Sequence, residues 1–131
     1  VRRYVDNFRE KNDLNTELEI VGEERRLESH REVMLFRAIQ ELMVHARDYA
    51  LASQLKVRLD MSGKTIKIAV QDNGRGFDVD AIFGGEESYL DTRAQGLVTL
   101  KEKFELVGGS MAVVSSENEG TLVRLELPGE G

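Results

Sequence analysis

An alternating strand that runs into two closely spaced glycines constrains this chain more than any other stretch. Apolar and polar residues alternate over residues 65–71, as in a strand with one buried face. Asp72 follows at the strand end, and Gly74 and Gly76 come next, with one residue between them. Glycine lets the backbone approach a ligand closely, and a carboxylate accepts strongly from an amine. The stretch 71–78 therefore indicates either a ligand-binding turn or an ordinary surface turn, which Asp-Asn-Gly also favours.

Length and charge narrow the classes of protein to which the chain can belong. Its 131 residues are enough for one domain with a real core. The net charge of −6 argues against nucleic-acid and anionic-membrane binding, because both need a basic surface. There is no cysteine, so the sequence excludes a disulfide framework and a thiolate metal site. No apolar run approaches the ~20 residues of a membrane-spanning helix, and no signal peptide is recognisable. We therefore expect a soluble globular domain without direct membrane contact.

Apolar periodicity predicts an alternation of helices and strands. Helices are expected at 1–11, 30–50 and 97–107, and strands at 16–21, 53–61, 65–71, 110–116 and 120–127. Ser29 and Glu32 form a capping-box pattern before the second helix, and Gly108 supplies a C′ residue after the third. Residues 22–30 are expected to form a loop, and the long stretch 79–95 is typical of a lid. Because each strand has one apolar face, we expect an α+β fold, a two-layer sandwich with helices on one face of a mostly antiparallel (mixed) sheet.

Four motifs in this order resemble the ATP-binding domain shared by sensor histidine kinases, gyrase-type ATPases, Hsp90 and MutL. They are the helical stretch 35–41, the glycine stretch 72–77, the stretch 96–109 and the closing residues 119–121. They are especially similar to the catalytic domain of NarX/DegS/DesK-type sensor histidine kinases. The resemblance covers nearly the whole chain and implies the Bergerat (GHKL, histidine kinase-like ATPase) fold, with 1–131 as a single ATP-binding domain and 79–95 as its ATP lid. Dimerisation and sensor domains would lie upstream, which fits a chain that begins with Val1 inside a helical pattern.

The resemblance implies roles for the residues around the glycine stretch. Asp72 would accept a hydrogen bond from the adenine amine of the nucleotide. Thr121 would join the adenine contact, directly or through water. Gly74 and Gly76 would let the backbone close on the nucleotide. The adenine half of the site matches the family at each of these positions.

The resemblance also implies a phosphate side. Gly96, Leu97 and the amide groups at the start of the third helix would face the phosphates, as helix N-termini commonly do. Glu41 occupies the position of the residue that polarises the attacking group. Lys101 and Lys103 stand where the family often has arginines, but a solvated helix face explains them better.

The phosphate side departs from the family at several positions. The family has an Mg²⁺-binding asparagine four residues after the glutamate, and this chain has His45 there. Magnesium favours oxygen ligands, so imidazole is a poor substitute. Asp48 and Tyr49 replace a basic residue and a histidine, and Thr99 replaces a glycine whose position a β-branched residue would crowd. An alternative interpretation of His45 is a half-buried helix histidine that points away from the nucleotide.

The leading hypothesis is the catalytic domain of a two-component sensor histidine kinase that uses ATP and Mg²⁺. Its partners would be an adenine nucleotide, a histidine-bearing dimerisation domain of the same protein, and a response regulator downstream. The full-length protein would be a cytoplasmic homodimer or the cytoplasmic part of a membrane-bound sensor. The chain's own histidines are His30, expected in the loop before the long helix, and His45, so the phosphoacceptor would lie upstream.

Two other hypotheses stay open. The first is a degenerate GHKL domain with weak or no Mg-ATP binding, which would act as an interaction or regulatory module, and His45 and Thr99 motivate it. The second is a serine kinase of the anti-sigma type on the same fold, which the matches at 35–41 and 100–103 disfavour. Upstream sequence would separate a histidine kinase from a serine kinase by showing or lacking a dimerisation helix.

Overall fold

Five strands form one mixed sheet in the computed structural model, which describes residues 2–12, 14–23, 27, 29–48, 50–76, 92–116 and 118–128. The elements in these ranges are α1 (Arg2–Lys11), β1 (Asn15–Val21), α2 (Ser29–Asp48), β2 (Gln54–Asp60), β3 (Thr65–Asp72), α3 (Thr92–Leu106), β4 (Ser110–Ser115) and β5 (Thr121–Pro128). The predicted order of helices and strands is confirmed. None of the helices in these ranges combines the length and apolar character needed to cross a membrane.

The strand order across the sheet is β1-β2-β3-β5-β4. β1 and β2 are parallel, because α2 carries the chain back between them, and every other neighbouring pair is antiparallel. β2–β3 and β4–β5 are hairpins. The α+β prediction of a mostly antiparallel, mixed sheet is therefore confirmed.

The core lies between the helices and one face of this sheet. Directly opposed residues on the five strands form rows across that face, and two of the rows are entirely apolar. In strand order, these rows are Leu18-Val57-Val70-Val123-Val113 and Ile20-Leu59-Ile68-Leu125-Met111. Apolar side chains of the helices pack over them, among them Ile39 and Leu42 of α2 and Phe104 of α3. Each such side chain contributes roughly 1.5–3 kcal/mol when it is fully buried.

The ends of the helices follow the sequence with some differences. Gly108 has φ +83° after α3, and Gly109 N–H donates to Phe104 O at 2.8 Å, which is the predicted glycine stop. α2 begins at Ser29, and the Glu32 carboxylate accepts from Leu27 N–H at 3.0 Å. Glu32 thus binds the chain before the helix as predicted in kind, but its partner is Leu27 and not the Ser29 amide that the predicted capping box requires. The loop prediction for 22–30 was wrong at its end, because His30 lies in the first turn of α2.

The start of α3 also differs from the prediction. The helix begins at Thr92, so residues 92–95 are helical although the lid was predicted to extend to residue 95. Gly96 therefore lies in the second turn and not at the helix N-terminus. The rest of the predicted lid, 79–91, lies outside the described residues, as do Phe77 and Asp78 of the glycine stretch.

Candidate functional site

The helix-covered face of the sheet changes from apolar to polar at one end. The next row across the five strands is Thr16-Leu55-Asp72-Thr121-Ser115. Asp72 is only 8% exposed and Thr121 only 4%. The hydroxyl of Thr16 is satisfied locally by Leu14 O at 3.1 Å. Burying a polar group is unfavourable unless it is hydrogen-bonded, so the row from Asp72 to Ser115 is a candidate site.

Asp72 is held by main-chain amides. Its Oδ1 accepts from Gly74 N–H at 2.8 Å, which closes a tight turn after β3, and the carboxyl group also accepts from Thr121 N–H. Burial raises the pKa of Asp72, and these two hydrogen bonds only partly oppose that effect. An ionised carboxylate offers about four lone-pair sites, so further acceptor capacity is left for a ligand.

Thr121 and Ser115 continue this network on the next two strands. Ser115 Oγ and Thr121 Oγ1 are 2.8 Å apart, and Ser115 Oγ donates to Gly120 O at 3.1 Å. Gly120 has φ +81°, and a side chain there would overlap the main-chain oxygen of Asp72. The Gly-Thr pair at the start of β5 is therefore required by its close approach to the end of β3.

Gly74 and Gly76 owe their identity to contacts inside the protein. A Cβ atom at Gly74 would overlap the main chain and Cβ of Ala50, just after α2. Gly76 has φ +66°, and a Cβ atom there would overlap Ser116 O. The turn is thus packed between the end of α2 and the end of β4. The predicted approach of these two glycines to a nucleotide stays a prediction.

Two further contacts hold this turn in place. Arg75 N–H donates to Ala50 O at 2.9 Å. Asn73 Oδ1 accepts from the main-chain amides of Ser53 and Gln54, both at 2.9 Å. Neither Asn73 nor Ser115 was predicted from the sequence as a site residue. The Asp-Asn-Gly turn signal was the only hint of the first, and strand alternation over 110–116 was the only hint of the second.

The predicted phosphate side brings Glu41 and Gly96 together. A Cβ atom at Gly96 would overlap the Glu41 carboxylate, so the bare backbone of α3 lies directly against that side chain. Leu97 is 1% exposed and contributes its side chain to the core. Thr99 is exposed on α3, and the predicted crowding of the backbone near the phosphates stays a prediction. The nucleotide contacts assigned to Gly96 and Leu97 stay predictions.

A groove of about 1020 Å³ lies between α2 and α3. Glu41, Gly96, Thr99 and Lys103 contribute to its lining, but Asp72 and Thr121 do not. Lys101 lies 3.5 Å from Glu105 as an i,i+4 pair on the helix surface, which supports the interpretation of a solvated face. The described residues therefore form two separate features, the buried polar row and the groove beside Glu41.

His45 and Asp48 differ in exposure. His45 is 7% exposed and lies one turn after Glu41, within the part of α2 that packs into the core. The exposed Asp48 carboxylate accepts from Arg47 at 2.7 and 3.0 Å, and this hydrogen bond lowers the pKa of Asp48. Arg47 in turn lies over the ring of Phe8 at 5.5 Å. Asp48 is thus paired at the contact with α1, and Tyr49 lies outside the described residues.

Residues 30–131 match the family of histidine kinase-, DNA gyrase B- and HSP90-like ATPases. The chain belongs to this family. The match includes the polar residues from Asp72 to Ser115, the Asp72 turn, and Glu41 and Gly96 beside the groove, and it confirms the resemblance drawn from the four motifs.

Two proteins of similar sequence are named as histidine kinases. The chain is 27% identical over 128 residues to the signal transduction histidine-protein kinase/phosphatase DegS of Brevibacillus brevis, covering 98% of this chain and 31% of that protein. It is 29% identical over 126 residues to the sensor histidine kinase LiaS of Bacillus subtilis (strain 168), covering 95% and 32%. The chain thus spans about a third of the length of the curated relatives it matches.

Solved structures support the fold assignment. The catalytic domain of the histidine kinase ThkA superposes with a TM-score of 0.75 at 19% identity, covering 98% of this chain and 90% of that one. The histidine kinase domain of the blue-light activated kinase of Erythrobacter litoralis EL346 gives a TM-score of 0.69 at 16% identity, covering 98% and 58%. The predicted histidine kinase-like ATPase fold is therefore confirmed.

Proposed function

We propose that this chain, residues 1–131, is the ATP-binding catalytic domain of a two-component sensor histidine kinase. It would donate the γ-phosphoryl group of ATP to a histidine on a separate dimerisation domain of the same protein. A response regulator would receive the phosphate downstream, and the full-length protein would be a homodimer with this domain in the cytoplasm. The observation that carries the proposal is the buried Asp72–Thr121 pair at the polar end of an otherwise apolar sheet face.

The buried pair supports recognition of adenine. Asp72 lies in a poorly solvated position, where a charge-assisted hydrogen bond to an exocyclic amine is strong. The amides of Gly74 and Thr121 fix the carboxylate, so little ordering is needed when a ligand binds. Thr121 places a second polar atom beside it. The base would therefore lie beside the polar end of the sheet face, with its amine donating to the Asp72 carboxylate.

The phosphates and the attacking group would lie on the side of Glu41. Glu41 is exposed on α2 and lines the groove, so its carboxylate can orient an imidazole from another domain. Gly96 leaves room for that carboxylate against α3. Phosphoryl transfer depends mainly on positioning and on neutralising charge, and Lys103 contributes a positive charge to the same groove. Glu41 is thus the proposed polarising residue.

A protein-held Mg²⁺ site does not fit the described residues. No group of three or more histidine or carboxylate side chains is placed among them to hold a metal. His45 offers nitrogen in place of the oxygen that magnesium favours, and it is buried. We therefore derive no step through Mg²⁺, and any bound ion would depend on the nucleotide's own phosphates and water.

His45 motivates a second candidate function, which the family match and the sensor-kinase relatives do not favour. A domain that binds adenine nucleotides without an effective metal site would transfer phosphate slowly or not at all. Each ~1.4 kcal/mol of lost transition-state stabilisation lowers the rate tenfold. Such a domain would serve as a regulatory or interaction module that responds to nucleotide.

Calorimetric titration of ADP and ATP into the chain tests the proposal. We expect binding by the parent and loss of binding in Asp72→Asn, because the carboxylate is replaced by an amide that presents a donor to the amine. If Asp72→Asn binds ADP like the parent, the site assignment is wrong. Phosphate transfer to a dimerisation domain, measured with labelled ATP, then separates the kinase from the regulatory module.

A further inference from the structure

We propose that Ser115 is a positioning residue that fixes the direction of the Thr121 hydroxyl and thereby sets the base preference of the site. This inference rests on the proposed function, since it concerns the nucleotide that would lie beside Asp72. Ser115 would not touch the base. It would act by making Thr121 a hydrogen-bond acceptor toward the ligand.

The Ser115 hydroxyl carries a single proton, so it can donate only one hydrogen bond. Gly120 O is a carbonyl oxygen and can only accept, so Ser115 donates in the 3.1 Å hydrogen bond to it. We assign the proton in the 2.8 Å hydrogen bond between Ser115 Oγ and Thr121 Oγ1 to Thr121, because this assignment also satisfies Gly120 O. Thr121 Oγ1 is left with lone pairs and without a proton for a ligand.

Thr121 lies beside Asp72 in the sheet. The two residues are directly opposed on β5 and β3, on the same buried face. The Asp72 carboxyl group accepts hydrogen bonds from Gly74 and Thr121 amides and presents acceptors. The row therefore offers a ligand two neighbouring acceptors, the carboxylate and the Thr121 hydroxyl oxygen.

Two neighbouring acceptors favour a purine with an amine at position 6 over a purine with an oxo group there. An exocyclic amine carries two N–H donors and can satisfy both. A 6-oxo group is itself an acceptor, so it would meet like groups in a buried position and lose its hydrogen bonds. When Ser115 no longer takes the Thr121 proton, that hydroxyl can rotate and donate to the 6-oxo oxygen. The site should then discriminate less.

The test compares the dissociation constants of ADP and inosine diphosphate, measured by calorimetry for the parent, Ser115→Ala and Ser115→Thr. The readout is the ratio of the inosine diphosphate constant to the ADP constant. We expect this ratio to fall about fivefold in Ser115→Ala, the factor that one ordinary hydrogen bond represents. Ser115→Thr keeps the hydroxyl and should stay within about twofold of the parent. If Ser115→Ala does not fold, Ser115→Cys, whose thiol is a weak donor, should shift the ratio in the same direction.

A double-mutant cycle separates positioning from a general structural effect. In a Thr121→Val background the hydroxyl is gone, so adding Ser115→Ala should leave the ratio unchanged. An unchanged ratio in Ser115→Ala alone, or an equal fall in both backgrounds, overturns the role of Ser115 while the parent and Asp72→Asn results still support the nucleotide site. A parent chain that binds no ADP overturns the proposed function and this inference together.

Discussion

Asp72 and Thr121 lie directly opposite each other on the antiparallel strands β3 and β5, and Thr121 N–H donates to the Asp72 carboxyl group. The sheet itself thus holds the carboxylate, at the point where its apolar face ends. Gly120 is needed at this point because its Cα lies against the Asp72 carbonyl. The strand ends and the turn together build a rigid acceptor, which suits recognition of a small polar group on a flat base.

The first prediction concerns Asp72→Asn. Burial raises the pKa of Asp72, so the fold favours the neutral carboxyl group. The neutral form contributes its whole stabilisation below the ordinary pKa of aspartate. This stabilisation is lost as the pH rises through the raised pKa of Asp72 in the folded protein. At pH 7 the substitution should therefore raise the melting temperature while abolishing ADP binding, because the acceptor for the adenine amine is lost. Thermal melts between pH 4 and 7 should show a gap between variant and parent that widens with pH.

Asp60→Asn is the matched control for that prediction. The hydrogen bond from the Ser62 hydroxyl, at 2.6 Å, and that from the Ser62 amide, at 2.9 Å, lower the pKa of the exposed Asp60 carboxyl group. Its contribution to stability is present above the ordinary pKa and is lost as pH falls, which is the opposite sign. This variant should lower the melting temperature slightly at pH 7 and leave ADP binding unchanged. A rise in both variants would mean that the Asp72 effect is not due to burial of charge.

The second prediction compares two glycines in turns. Gly74→Ala should destabilise the fold by about 1–3 kcal/mol, because its Cβ atom would overlap the main chain of Ala50. Gly63→Ala should be neutral or stabilising by up to about 1 kcal/mol, since the nearest heavy atom to a Cβ there is Thr65 O at 4.0 Å. Urea denaturation of both variants gives the two free energies of unfolding. Equal values would show that the packing of the Asp72 turn against Ala50 contributes little.

Local periodicity explains why the sheet could be predicted from sequence. Each strand has one face against the helices and one in solvent, so alternation alone marks its residues, and the strand predicted at 65–71 is Thr65–Asp72. The start of α3 could not be predicted from the sequence. Residues 92–95 give no clear apolar period, and Gly96 resembles a break, but in the fold its backbone packs against Glu41 of a distant helix. That contact depends on tertiary structure and has no local signature.

Some residues of the candidate site could also be predicted from the sequence, and others could not. Asp72 stands out because it ends an apolar alternation just before two glycines, and Thr121 was identified through the resemblance of residues 119–121 to the family. Ser115 carries no such signal, because a serine at the end of an edge strand is ordinary. Its importance comes from the register of β4 against β5, which places its hydroxyl beside that of Thr121. The turn and the hydrophobic pattern set this register, but neither shows from sequence which polar side chains meet, so the residue could not be singled out from its neighbours.

The third prediction concerns Gly96 and Gly108. Gly96 lies inside α3, so Gly96→Ala should raise the free energy of unfolding by about 0.5–1 kcal/mol, provided the flexible Glu41 side chain moves aside. Gly108 has φ +83° just after the same helix, so Gly108→Ala should lower it by about 1–2 kcal/mol. Chemical denaturation measures both. A loss of stability in Gly96→Ala would show that the Glu41 carboxylate is held rigidly against α3.

The last prediction concerns magnesium. Because His45 presents nitrogen where an oxygen ligand is expected, ADP affinity in the parent should change by less than about threefold between excess Mg²⁺ and EDTA. His45→Asn supplies an amide oxygen one turn from Glu41 and should increase that dependence to about tenfold. Asp60→Asn is the control, since Asp60 lies at the opposite end of β2 from the polar row and should leave the dependence unchanged. Calorimetric titration with and without EDTA gives the ratios. A parent that already binds ADP tenfold more tightly with Mg²⁺ would contradict the prediction and would favour the active kinase over the regulatory module.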